Sequence, residues 1–202
     1  MNILISGANG FIARNLIKEL SEKFKGNNIY CIGRNKKLSI ENKFNNLIFI
    51  NHDLLNEGLP EGLPNRIDII YHLAAISKTF LRDSKARNQF IENITITSNI
   101  IDIADKLSTK KIIFSSSVYV YSGTESKPFS ENMILSPNEY LGASKLASEQ
   151  LLKSYSLSSA VDIYSLRLFT VYGPGSRKSQ FIPEAIRKIK DIRQRKKIPI
   201  LV

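Results

Sequence analysis

Asn2-Ile3-Leu4-Ile5-Ser6-Gly7-Ala8-Asn9-Gly10-Phe11-Ile12-Ala13 passes from a short apolar run, through two glycines, into a segment with helical spacing. The run Asn2–Ser6 reads as a buried strand. Apolar residues at 12, 16, 17, 20 and 24 then predict a helix over Phe11–Phe24. Between them, Gly7 can make a tight turn and Gly10 removes a Cβ where an anion must approach the backbone. The amides opening the helix point at that anion, and the helix dipole favours its charge. Ala13 supplies a third small residue, where helix and strand pack closely. A strand, this G-x-x-G-x-x-A turn and a helix together predict a cradle for a dinucleotide's pyrophosphate.

The rest of the chain repeats the alternation. Strands are predicted over Asn28–Ile32, Leu47–Ile50, Ile67–Leu73, Lys111–Ser115 and Val161–Leu168. Helices are predicted over Ala86–Leu107, Glu139–Tyr155 and Phe181–Arg195, and loops over Asn56–Asn65 and Ser122–Pro137. Alternating strands and helices predict parallel crossovers, and near-continuous apolar strands fit a sheet covered on both sides. The expected class is therefore α/β: a Rossmann-type, doubly wound parallel sheet with helices on both faces.

The chain has 202 residues, enough for one full α/β core. Its hydrophobic share of 43% and charged share of 23% exclude disorder. The N-terminus carries no basic segment before an apolar stretch, and no run of 18 apolar residues occurs, so neither a signal peptide nor a membrane span is expected. The single cysteine, Cys31, has no internal disulfide partner, and a cytoplasmic setting is expected. The net charge is +11. Its densest cluster (Arg187, Lys188, Lys190, Arg193, Arg195, Lys196, Lys197) has no interleaved aromatics, so a solvated helix face is expected rather than a nucleic-acid surface.

Further motifs follow the glycines in a fixed order. They are Asp53-Leu54, His72-Leu73-Ala74-Ala75, Asn93, Phe114-Ser115-Ser116-Ser117 with Val120-Tyr121, Gly142-Ala143-Ser144-Lys145-Leu146, and Arg167-Leu168-Phe169-Thr170-Val171-Tyr172-Gly173-Pro174. This ordered set resembles the extended short-chain dehydrogenase/reductase family, the nucleotide-sugar epimerases, dehydratases and ketoreductases. The resemblance implies that Gly7, Asn9, Gly10, Phe11 and Ile12 hold the pyrophosphate. It implies that Asp53 and Leu54 meet the adenine, and that Leu73, Ala74, Ala75 and Ser77 line the ribose and phosphates. It places Asn93, Lys145 and Phe169 toward the nicotinamide, and it implies an acid–base group of Ser117, Tyr140 and Lys145.

Two departures from the family pattern matter. Tyr140 stands five residues before Lys145, where the family spacing is four, and Leu141 takes the expected place. Residues four apart lie about 40° apart on a helix and residues five apart about 140°, so a regular helix would turn Tyr140 away from Lys145. A start before the first regular turn, or a π-bulge, would absorb the extra residue. The other departure is at the end of the second strand, where NAD-preferring members carry an acid and this chain reads Gly33-Arg34. A 2′-phosphate would meet no repulsion there, and Arg34 offers a guanidinium fork, so NADP(H) is expected over NAD(H).

The expected activity is epimerisation or keto-reduction of a nucleotide sugar by hydride transfer. Ser117 is followed by Val118 and Tyr119 rather than the Asp-Glu pair of dehydratases, which disfavours dehydration. Ser117, Thr170 and Arg177 are the expected substrate contacts, and no metal is expected. The alternative is a non-catalytic NADP-binding or regulatory protein with an eroded or truncated site. The expected organisation is a dinucleotide-binding domain over 1–175 and the start of an incomplete substrate portion over 176–202. A homodimer through the helices containing Asn93 and Lys145 is also expected.

Overall fold

In the computed structural model, residues 1–34, 44–77, 83–124, 128–176 and 181–193 are described. The strands are β1 (Asn2–Ser6), β2 (Asn28–Gly33), β3 (Leu47–Asn51), β4 (Ile69–His72), β5 (Lys111–Ser117) and β6 (Asp162–Leu168). The helices are α1 (Phe11–Lys23), α2 (Asp83–Lys106), α3 (Tyr140–Ser158) and α4 (Phe181–Arg193). A short 3₁₀ turn spans Val118–Tyr121.

The strands form one six-stranded parallel sheet in the order β3-β2-β1-β4-β5-β6. The order reverses beside β1, where a doubly wound sheet opens a crevice at the carboxyl ends of its strands. The glycine turn lies at that point. The chain divides into two compact units, Met1–Phe169 and Thr170–Val202. The first holds the sheet and two apolar clusters. One gathers Ile3, Ile5, Ala8, Ala13, Ile17, Leu20, Ile29 and Cys31 beneath α1. The other packs Leu4, Ile32, Ile70, Ile112 and Phe114 against Ile96, Ile100 and Ile103 of α2 and Leu152 of α3. A fully buried Ile or Leu side chain of this kind contributes about 1.5–3 kcal/mol. In the second unit, α4 carries Arg187 between Glu184 and Asp191, at 3.6 and 3.0 Å. Among the described residues, no helix is long and apolar enough to cross a membrane.

Element boundaries shift where side chains compete with the ladder. The predicted fourth strand, Ile67–Leu73, is shorter at both ends: the Ile67 amide bonds the Leu107 carbonyl, and the amides of Leu73 and Ala74 both bond Ser6 Oγ, at 3.1 Å. The fifth strand runs two residues further than its apolar run, because Ser116 and Ser117 pair with Arg167 and Leu168. The 3₁₀ turn arises where Ser117 Oγ caps the Tyr119 amide. The predicted last helix reached Arg195, which with Lys196 and Lys197 lies outside the described residues.

Candidate functional site

Gly7 has φ +68°, the left-handed region, and a Cβ there would fall 2.8 Å from the backbone of Ala74. No other residue fits that turn without strain. The Gly10 amide bonds the Gly7 carbonyl at 2.8 Å, and the Ala8 amide bonds the Ile32 carbonyl at 3.0 Å, so the turn is tied to β2. The α1 N-terminus carries no side-chain cap, and Gly10 stands extended before it. The amides of that first turn are therefore left without a side-chain cap, as an anion site requires.

The opposite wall is fixed by a buried chain of hydrogen bonds. Ser6 Oγ accepts from the amides of both Leu73 and Ala74, which uses its two lone pairs. Its proton then goes to His72 Nδ1, 3.0 Å away, and His72 Nε2 carries the hydrogen that reaches Thr97 Oγ1 at 3.1 Å. His72 is completely buried, and burial, helped by the nearby Lys145 charge, drives its pKa down to about 3. The imidazole is thus a neutral spacer that sets Leu73 and Ala74 against Gly7.

Between these walls lies a cavity of about 100 Å³ lined by Gly7, Gly33, Arg34, His52, Asp53 and Ala74, among others. Leu54 and Ala75 line it as well. Asp53 Oδ1 caps the Leu55 amide at 3.1 Å, and its other oxygen lies 3.9 Å from Arg34. Two buried nitrogens, Asn9 Nδ2 and His52 Nε2, have no hydrogen-bond partner among the described residues. A buried polar atom without a partner costs free energy unless a ligand satisfies it. The glycine turn, the uncapped helix start and these donors fit a dinucleotide. Ser77, also expected there, is exposed.

Lys145 is buried on α3, and its Nζ donates to the Ser115 carbonyl at 2.6 Å. Burial lowers its ammonium from the ordinary 10.5 to about 8, although the Glu149 carboxylate one turn on pulls the other way. Glu149 is itself held by Ser116 Oγ and by both Nε and Nη2 of Arg167, at 3.2 and 3.0 Å. Arg167 also donates to Tyr121 Oη at 2.7 Å. Ser117 accepts from the Tyr119 amide, which leaves its hydroxyl proton as a donor. Gly142 lets the start of α3 press on the 3₁₀ turn: a Cβ there would fall 2.2 Å from the Tyr119 carbonyl oxygen.

Tyr140 is the first residue of α3, which is regular α-helix throughout. It is 49% exposed, whereas Leu141 and Lys145 are both 6% exposed. Neither an irregular start nor a π-bulge absorbs the extra residue. Asn93 is buried, and its amide clamps the loop after β4, with Oδ1 on the Ile76 amide and Nδ2 on the Ile76 carbonyl and Ser144 Oγ. Phe169 is half exposed, its ring 6.2 Å from that of Phe129. Thr170 begins the second unit, and Arg177 lies outside the described residues. Sequence reasoning missed the Ser6–His72–Thr97 chain, the Glu149–Arg167 pair and His52. His72 and Arg167 stand in the quoted motifs, but nothing in the sequence pairs them with Thr97 or Glu149, and His52 reads only as a strand end.

The model of the NAD dependent epimerase/dehydratase family matches residues 3–202. The chain belongs to this family. Among its members, an uncharacterized UDP-glucose epimerase, YtcB, of Bacillus subtilis is 35% identical over 190 residues, covering 88% of this chain and 58% of the relative. The human dTDP-D-glucose 4,6-dehydratase is 28% identical over 193 residues, with 91% and 55% covered. Among solved structures, UDP-glucuronic acid 4-epimerase from Bacillus cereus in complex with NAD superposes with a TM-score of 0.80 at 30% identity, over 97% of this chain and 63% of that one. The chain thus spans about three fifths of the length of the epimerase/dehydratase family members it matches.

Proposed function

We propose that this chain is the NADP(H)-binding part of a nucleotide-sugar epimerase or keto-reductase. The observation that carries the reading is the Gly7 turn, held in a left-handed conformation against Ala74 beneath an uncapped helix start. Gly7, Gly10 and the amides of Asn9, Phe11 and Ile12 would hold the pyrophosphate. Asp53 and Leu54 would meet the adenine, and Leu73, Ala74 and Ala75 the ribose and phosphates. Asn93, by clamping Ile76, would set the loop after β4 that carries Ser77. The bound nicotinamide would supply the hydride acceptor or donor. The solved relative at 30% identity carries NAD, and the preference for NADP(H) rests on Gly33 and Arg34 at the end of β2.

The acid–base group of this reading is Ser117, Tyr140 and Lys145. Ser117 would donate its free proton to the reacting oxygen, and Lys145, held on the Ser115 carbonyl, would keep positive charge beside it. Tyr140 would move the proton from the first turn of α3, reaching the crevice by its long side chain rather than through helix register. Thr170 and Arg177 would contact the nucleotide sugar. α2 and α3 pack against each other and would pair with the same helices of a second copy. The related dehydratases notwithstanding, Val118 and Tyr119 supply no acid and base after Ser117, so epimerisation or reduction is the better fit. Incubating the chain with NADP+ and a panel of UDP- and dTDP-sugars, and with NADPH and the matching keto-sugars, tests the reading. Conversion of a sugar that Lys145→Ala abolishes supports it; nucleotide binding with no conversion of any sugar favours the non-catalytic alternative.

A further inference from the structure

The catalytic reading leaves two features of the adenosine end unused, the buried amide of Asn9 and the imidazole of His52. Gly33 ends β2 in register with Asn51 of β3, and the His52 amide bonds the Gly33 carbonyl at 3.1 Å. Arg34 and His52 therefore stand side by side, one residue past the last registered pair. Asn9 reaches the end of β2 from the glycine turn: a Cβ on Gly33 would fall 2.8 Å from Asn9 Nδ2. The missing side chain at position 33 is what makes room for that amide. Asn9 Nδ2 and His52 Nε2 are both buried, and neither has a partner among the protein's described residues.

We infer that Asn9 and His52 are the donors that, with Arg34, read a 2′-phosphate on the cofactor's adenosine ribose. This rests on the NADP(H) reading above and names the residues that enforce it. A phosphate monoester offers three strong acceptor oxygens, and an amide beside Gly33 with an imidazole and a guanidinium one residue further on supply donors of the kind it demands. A 2′-hydroxyl, with one oxygen, satisfies at most part of the set and leaves a buried donor unpaired, which penalises NAD(H). Asp53 is the carboxylate that lines the cavity, and it does not oppose this. Its Oδ1 is turned onto the Leu55 amide, and its Oδ2 offsets charge with Arg34 at 3.9 Å, beyond hydrogen-bond range, so the guanidinium keeps its donors for a ligand.

The test compares 2′,5′-ADP with 5′-ADP by calorimetry on the full chain. Wild type should prefer 2′,5′-ADP. Asn9→Ala and His52→Ala should each cut the preference for 2′,5′-ADP over 5′-ADP about tenfold. His52→Gln, which keeps a donor, should retain most of the preference, and it carries the test together with His52→Ala if Asn9→Ala fails to fold. A wild-type preference that neither variant changes, or a loss shared equally by both ligands, overturns the inference and leaves the NADP(H) reading standing. Equal binding of both ligands by wild type overturns that reading and this inference with it.

Discussion

At the scale of single residues, the site depends on positions where one atom more or less decides. Gly7 is the clearest: its left-handed φ and the Ala74 backbone 2.8 Å from a would-be Cβ exclude any side chain. Gly7→Ala should lower stability by about 3 kcal/mol and abolish NADPH binding, measured by denaturant unfolding and fluorescence titration. Gly10→Ala should be milder for the fold, since its Cβ would meet only the Gly7 carbonyl, at 3.1 Å. Tyr140 poses the opposite problem, a half-exposed side chain asked to do buried chemistry. If it moves the proton, Tyr140→Phe should lower kcat at least about 100-fold with NADPH affinity unchanged. A kcat within about threefold of wild type would remove Tyr140 from the acid–base group and point to another donor.

Elements are positioned by buried polar chains as much as by apolar packing. Glu149 links α3 to β5 through Ser116 and to β6 through Arg167. Arg167→Ala should leave that carboxylate buried without its partner and cost about 3–5 kcal/mol, whereas Glu149→Gln should cost less and pull the Lys145 pKa further down. The second effect should appear as a downward shift in the pH at which Lys145 loses its proton, followed by alkylation rate. The pairing of α2 and α3 with a second copy should show as a dimer by sedimentation, dispersed by an Asp in place of exposed Ile91.

The architecture was legible because it is written twice, in the glycine turn and in the alternation of apolar strands with helices. Of the motif residues, Asp53, Ala74 and Ala75 line one cavity. Less legible were the boundaries of β4 and β5. Ser6 draws the amides of Leu73 and Ala74 out of the ladder, while Ser116 and Ser117 extend a strand beyond its apolar run. A periodicity argument cannot see a hydroxyl that accepts two amides from 67 and 68 residues away. His52 escaped notice for the same reason, since its importance comes from a neighbouring strand and not from its own.

For the whole molecule, the buried titratable groups set a pH dependence. His72 is neutral in the fold, with a pKa near 3 against an ordinary 6.5, so the unfolded chain binds the extra proton between those values. Stability should therefore fall as pH drops from about 6.5 toward 3, and His72→Asn should show a shallower fall than wild type in urea unfolding across that range. Lys145 acts at the other end. Its buried ammonium is lowered to about 8 from 10.5, so its penalty is relieved as pH rises between those values.

The account turns on the uncapped helix start over the Gly7 turn being a pyrophosphate site. Isothermal titration of the folded chain with NADPH and NADH tests this most directly. It should give single-site binding that Gly7→Ala removes, tighter for NADPH. Folded protein that gives no heat with either nucleotide would contradict it.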